Sequence, residues 1–223
     1  VLKLNGEKQQ TITMSGTSSY FGTLVLNNTS EEGIYVSKEL NYKKLVNNSG
    51  TKVTFPDGGQ LGYTMTKDEV IEGDFLLSGG DMDLNGHTLT VTGDFVQSGG
   101  SLYVHKGNLL VEGDYCLAKR TEQEDGTYTY ENAAPKLYMD DEKDCITVKG
   151  NLHAAVSYIN NWFCSAGTLR LSKNLTVWNS TYLVFSKDMV LLLDGDSQQN
   201  FSFTGVCVRL GSFVIENKDG VVF

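Results

Sequence analysis

Short stretches of the chain alternate apolar and polar residues with period two, and Gly, Asn and Asp punctuate them. Alternation of this kind predicts strands that bury one face. The stretches return at a fixed interval. Val70-Ile71-Glu72-Gly73-Asp74-Phe75 is followed by Thr90-Val91-Thr92-Gly93-Asp94-Phe95 and then by Leu110-Val111-Glu112-Gly113-Asp114-Tyr115, so a Gly-Asp-aromatic step recurs every 20 residues. Between the first two copies the match extends through Ser78-Gly79-Gly80 with Ser98-Gly99-Gly100, and through Met82 and Leu84 with Leu102 and Val104. The pattern resumes, in weaker form, as Ile146-Thr147-Val148-Lys149-Gly150-Asn151-Leu152, as Gly167-Thr168-Leu169-Arg170-Leu171 and as Asn174-Leu175-Thr176-Val177.

A period of ~20 residues built from short strands and tight turns is what one coil of a solenoid requires, because inward residues must stack on their equivalents one coil away. The expected fold is therefore all-β: a right-handed parallel β-helix (β-solenoid) with ~20-residue coils, one domain spanning residues 1–223. Ile71, Phe75, Leu84, Leu89, Val91, Phe95, Leu102, Val104 and Val111 are expected to form its continuous inner ladder.

A second, longer repeat overlies the first. Leu2-Lys3-Leu4-Asn5-Gly6-Glu7-Lys8-Gln9-Gln10-Thr11-Ile12 returns as Leu191-Leu192-Leu193-Asp194-Gly195-Asp196-Ser197-Gln198-Gln199-Asn200-Phe201, an offset of 189 residues. Gly16 and Gly205, Gly22 and Gly211, Leu26 and Ile215, and Asn28 and Asn217 share that offset. Residues 1–36 and 190–223 thus read as equivalent modules of a tandem array in a longer polypeptide. Two stretches interrupt the pattern. Residues 119–134 are polar and charged and precede Pro135, which predicts a loop or small hairpin projecting from one coil. Residues 152–166 carry apolar positions close to helical spacing, and a bent strand with a loop at Asn160-Asn161 fits them equally well.

Composition narrows the partners. Two prolines against 24 glycines suit strands joined by tight turns. A net charge of -9 with only three arginines repels phosphate backbones and anionic lipid surfaces, and no run approaches the ~20 apolar residues needed to cross a bilayer, so neither nucleic-acid binding nor membrane insertion is expected. Cys116, Cys145, Cys164 and Cys207 lack zinc-ligand spacing and read as small buried hydrophobes rather than a disulfide framework.

The run Leu61-Gly62-Tyr63-Thr64 through Asp68, Ile71-Glu72-Gly73-Asp74-Phe75, Asp83-Leu84-Asn85-Gly86-His87-Thr88-Leu89-Thr90-Val91 and residues 109–115 resembles the repeat arrays of very large secreted or cell-surface proteins of Firmicutes bacteria, adhesin-like or haemagglutinin-like. Ala166-Gly167-Thr168-Leu169 and Asp194-Gly195 with Gln198-Gln199 extend the resemblance over most of the chain. It implies a parallel β-solenoid outside the cell, serving as a stalk or scaffold, and brings no catalytic residues.

Asp140-Asp141-Glu142-Lys143-Asp144 has the composition of a cation site but lies between two apolar stretches, as a charged turn does. Asp74, Asp94 and Asp114 could line one edge, yet Asx hydrogen bonds closing each turn account for them without a metal. His87, His105 and His153 stand apart, and no nucleophile-elbow motif is present. No metal, cofactor or catalytic group is expected. Planar aromatics stack on sugar rings, which makes Tyr128, Tyr130, Tyr138, Tyr158, Trp162 and Trp178 the candidate glycan platform. The sequons at Asn28, Asn174, Asn179 and Asn200 read as turn and strand residues.

The sequence therefore leads to a structural scaffold module, extracellular or cell-surface and not an enzyme, with neighbouring repeat modules as partners. The alternative is a carbohydrate-binding module with an exposed aromatic face, and a polysaccharide lyase-type enzyme stands third. Open solenoid ends also imply weak end-to-end self-association.

Overall fold

The structure is a computed structural model that describes residues 1–13, 20–36, 41–47, 53–54, 62–77, 81–156, 162–178, 182–204, 207–209 and 211–223. Among these residues there is no helix, and the parallel sheets stack as a β-solenoid of about seven turns. A central coil shows the plan. Asp81–Asp83, Thr88–Val91 and Phe95–Gln97 run along three successive faces, and each pairs in parallel with its counterpart in the next coil: Ser101–Tyr103, Asn108–Val111 and Tyr115–Leu117. These central coils thus have three faces.

Alternation decides what points inward. Leu89 and Val91 face the interior while Thr88 and Thr90 stay partly exposed, and the register places Leu89 beside Leu109 and Val91 beside Val111. All nine residues expected in the inner ladder are buried, none more than 2% exposed. One apolar core runs from Ile12 to Phe201, so every coil buries its inner face only by stacking on its neighbours.

The segment whose sequence fitted helix and strand equally is strand where it is described: Leu152–Ala154, and then Trp162–Leu171. Trp162–Leu171 and Tyr182–Leu193 each run round a corner that other coils turn with a loop, with an irregular register between Cys164 and Ala166. The 119–134 insertion is an antiparallel hairpin, Lys119–Glu122 with Tyr128–Glu131. Its tip is exposed, but it does not simply project: its base folds back onto the outer surface of the third face, where Arg120 and Tyr130 are partly buried.

The long repeat has a counterpart in hydrogen bonds. Gln10 Oε1 accepts from the Gly6 amide at 2.8 Å and from Asn28 Nδ2 at 3.0 Å. At the 189-residue offset, Gln199 Oε1 accepts from the Gly195 amide at 3.1 Å and from Asn217 Nδ2 at 2.8 Å. The second donor hydrogen of each Asn side chain reaches the carbonyl of Lys8 or Ser197, again equivalent positions.

Candidate functional site

The Gly-Asp step sits at the corner entering the third face. Asp74 Oδ1 accepts the Asp94 amide at 2.8 Å, Asp94 Oδ1 accepts the Asp114 amide at 2.8 Å, and Asp114 Oδ1 accepts the Asn151 amide at 2.7 Å. Asn151 Oδ1 then meets the Asn174 amide at 3.3 Å, and Asn174 Oδ1 the Asn200 amide at 2.8 Å. The three aspartates expected to close their own turns instead bond one coil onward, and with Asn151 and Asn174 they make five side chains that tie successive coils into a line ending at Asn200. The glycine makes this possible. A Cβ on Gly113 would lie 2.4 Å from Asp94 Oδ1 and 2.7 Å from the Gly93 backbone, so only glycine lets the previous aspartate reach past it.

Three stacked carboxylates repel one another, and the hairpin and a histidine answer that charge. Arg120 reaches Asp94 Oδ2 at 2.5 Å and Asp74 Oδ2 at 3.7 Å, with its side chain only 11% exposed. His153 Nε2 lies 3.5 Å from Asp114 Oδ2. Burial alone would raise both end carboxyls. It prevails at Asp74, whose pKa is raised, and Asp94 beside it adds to the rise. At Asp114 burial is outweighed by the hydrogen bonds from His153 and the Asn151 amide, and the pKa is lowered. His153 Nδ1 is buried and has no hydrogen-bond partner among the described residues. That fits a ring carrying its proton on Nε2, toward Asp114.

The aromatic candidates divide between two places. Tyr130 stacks against His153 and Trp178, with ring centroids 4.8 and 4.7 Å away, and covers Leu76, Val96, Cys116, Ala118 and Ala155 on the outer surface of the third face. Burial there pushes the Tyr130 hydroxyl and the Cys116 thiol each up to about 12. Tyr128, nearer the tip, is 40% exposed, with the Arg120 guanidinium 4.3 Å from its ring centre. Tyr138 lies elsewhere, on the outer surface of the first face, between Tyr103 at 4.3 Å and Phe163 at 4.5 Å, in a nearly parallel stack. Trp162 starts the strand Trp162–Leu171, but its side chain is outside the described part, as is the whole of Tyr158. The structure thus joins Tyr130 with Trp178, sets Tyr128 beside them, and separates Tyr138.

Ring geometry limits what these groups can do. Sugar stacking needs an open ring face. Tyr138 stacks on Tyr103 on one side and Phe163 on the other, while Tyr130 and Trp178 stack on each other. Tyr103, Phe163, Arg120 and His153 were not singled out by sequence reading as partners. The aligning signal for Tyr103 and Tyr138 was present but stretched: they share a register although the hairpin separates them by 35 residues in sequence.

The acidic run 140–144 connects the strands Lys136–Met139 and Cys145–Val148. Asp144 is buried, with Oδ2 accepting from the amides of Asp140 and Asp141 and Oδ1 from that of Lys106. Its lone pairs are spent on backbone. Among the described residues no group of three or more His, Cys, Asp or Glu is placed to hold a metal ion. Each histidine, isolated in sequence, stands beside an aspartate of an earlier coil: His87 by Asp68 at 3.6 Å, His105 by Asp83 at 3.1 Å, and His153 by Asp114. Cys116, Cys145 and Cys164 are free thiols. The chain matches no protein-family model, no curated protein and no solved structure.

Proposed function

We propose that this chain is a structural scaffold: a stiff β-solenoid spacer of a bacterial surface or secreted polypeptide, adhesin-like in role, that sets distance rather than performing chemistry. The observation that carries this reading is the line from Asp74 to Asn200, in which five successive side chains each bond the backbone of the next coil. Polar groups that a binding site would turn outward are used here to lock coil to coil, which resists both bending and sliding. The bacterial surface setting rests on the resemblance of the repeats to Firmicutes arrays. Glycan binding draws less support, because Tyr130, Trp178 and Tyr138 stack on other side chains of the protein.

A spacer must lengthen in proportion to its coils, at roughly 4.8 Å per coil from the spacing of paired strands. Donor and acceptor dyes flanking one, two and three tandem copies would report that distance by energy transfer. A linear increase supports the proposal. Growth as the square root of copy number, the behaviour of a flexible chain, refutes it.

A further inference from the structure

We infer that the 119–134 hairpin is an acid-operated clasp: at neutral pH it lies against the third face and covers an apolar strip of the rod, and protonation of the carboxylates that hold it frees the hairpin while the solenoid beneath stays folded. The spacer reading does not depend on this device.

The hairpin can move as a unit. Its strands, Lys119–Glu122 and Tyr128–Glu131, pair with each other and, among the described residues, with no strand of the solenoid. The backbone rejoins the coils at Ala133, whose amide donates to the Ala155 carbonyl at 2.9 Å and which bridges to Val156. Swinging the hairpin away therefore breaks no rung of the three faces, and the ladder that carries the fold is left whole.

Two side chains hold the hairpin down. Tyr130 stacks on His153 and Trp178 and, with Trp178, packs on the outward strip of Leu76, Val96, Cys116, Ala118 and Ala155. Arg120 supplies the charge. Its guanidinium lies 4.3 Å from the Tyr128 ring centre, bonds Asp94 and stands 3.7 Å from Asp74, with only 11% of the side chain exposed.

The groups that meet at this contact change sign together. Asp74, Asp94 and Asp114 come from the corners, Cys116 and His153 from the third face, and Arg120, Tyr128 and Tyr130 from the hairpin. The hairpin's other charged groups, Lys119, Glu122, Glu124, Asp125 and Glu131, are exposed, with Lys119 paired to Glu131. Tyr130 and Cys116, each pushed up to about 12 by burial, stay neutral throughout. At neutral pH three carboxylates meet one guanidinium beside a neutral imidazole, a net charge of -2; with the carboxyls and the ring protonated, the same five groups carry +2.

Neutralising Asp94 leaves Arg120 inside the contact without its counter-ion, an arrangement costlier than releasing the guanidinium to water. His153 pulls in the same direction. Its Nδ1 is buried with no partner among the described residues, so a ring carrying both protons buries an unpaired N–H until the hairpin lifts and admits water. Attraction of a charged ring to the faces of Tyr130 and Trp178 opposes release but is the smaller effect. Asp74, raised by burial and by its neighbour Asp94, takes up a proton early and relieves repulsion while the bond between Asp94 and Arg120 stays in place. At Asp114 burial is outweighed by the hydrogen bonds from His153 and Asn151, and that carboxyl keeps its charge to lower pH. The clasp therefore opens near about pH 4, where an ordinary aspartate titrates, rather than on the first proton.

Cys116 lies under the clasp, fully buried, and reports its opening. Each thiol of the full chain is modified with 4,4′-dithiodipyridine between pH 7 and about pH 3.5, and the rates are read cysteine by cysteine by mass spectrometry. Cys145, partly exposed on the second face, is the reference that cancels the reagent's own pH dependence; Cys164, 3% exposed in the core, is the control for unfolding. The ratio of Cys116 to Cys145 labelling should rise about tenfold or more as pH falls, since each proton taken up on opening shifts the equilibrium by up to about tenfold per pH unit. Cys164 should stay protected over the same range. Asp94→Asn and Arg120→Met each remove one half of the charge pair, so both should raise the ratio at pH 7 and flatten its pH dependence, and protection of Cys164 shows that each variant is folded. A ratio that stays flat into acid overturns the inference. So does a rise in which Cys164 follows Cys116, which is unfolding of the whole solenoid, and so does a full acid response that survives in both variants.

Discussion

Removing one side chain from the Asx line should reveal whether it holds the coils together. Asp94→Ala deletes the acceptor for the Asp114 amide and the carboxylate that Arg120 grips. The lost hydrogen bond to a charged acceptor is worth ~1.5–3 kcal/mol. Stranding Arg120 adds ~1 kcal/mol rather than the several of a fully buried pair, because Asp94 is 26% exposed and Asp74 remains 3.7 Å from the guanidinium. The sum is ~3 kcal/mol, or about 6–12 °C in melting temperature for a chain of this size. Asp94→Asn keeps the acceptor oxygen and loses only the charge, so it should cost ~1 kcal/mol. Thermal denaturation followed by circular dichroism measures both, and hydrogen exchange at the Asp114 amide localises the effect, since a repeat array need not unfold in one step. Combining each substitution with Arg120→Met separates the ion pair from the backbone bond. If Asn proves as damaging as Ala, the charge pair rather than the line carries the stability; if Ala costs under ~0.5 kcal/mol, the line is ornamental and the stiffness reasoning fails.

Two further outcomes follow from the same corner. Gly113→Ala drives a methyl against Asp94 Oδ1 and the Gly93 backbone, neither of which can yield without breaking the line, so it should destabilise by ~2 kcal/mol or more in the same melting assay; a loss within ~0.5 kcal/mol would show that the corner is slack. Carboxyl NMR should find Asp74 titrating above its usual value and Asp114 below it. The signs give opposite pH dependences. Asp114, lowered in the folded state, contributes stability that is present above its unfolded pKa and is lost as pH falls through the folded value. Asp74, raised, contributes stability present below its unfolded pKa and lost as pH rises through the folded value. Titration of Asp114 above Asp74 would contradict the assigned partners.

The solenoid was legible because its information is local and repeated. Period-two alternation named the inner residues Leu89, Val91, Phe95 and Leu102, and a 20-residue spacing brought them into register without any knowledge of three-dimensional pairing. The site chemistry was harder to read for the same reason that the fold was easy. Asp74 and Asp94 share a position in the repeat, but which backbone group each one bonds depends on the path of the corner, and a single sequence does not distinguish an Asx turn from a bond one coil onward. Arg120 and Tyr130 belong to an insertion outside the period. Nothing in the polar string from 119 to 134 shows that it folds back, because its docking surface, made of Leu76, Val96, Cys116 and Ala155, comes from outward positions spread across several coils. Outward apolar residues on one face of a solenoid are the signal that could have located it.

The composition of the Asx line and the position of the hairpin explain each other. Carboxylates one strand spacing apart, about 4.8 Å, repel unless cations stand close by. Asp74 and Asp94 lie within reach of the Arg120 guanidinium, and Asp114 in the next coil accepts from the His153 N–H instead. Beyond that reach, where no cation among the described residues is paired with the line, Asn151 and Asn174 take over, keeping the acceptor oxygen and dropping the charge, and Asn200 receives the last bond. The charged half of the line is therefore conditional on the hairpin, and the neutral half is not. Deleting residues 120–130 with a short glycine bridge should destabilise the chain, and changing all three aspartates to asparagine in that background should restore most of the loss. Equal stability of the deleted chain with Asp or Asn at the three positions, compared by thermal denaturation at neutral pH, would break the link between insertion and line. At low pH, where the carboxyls are protonated, the rescue should shrink, because the repulsion that the hairpin offsets is then gone.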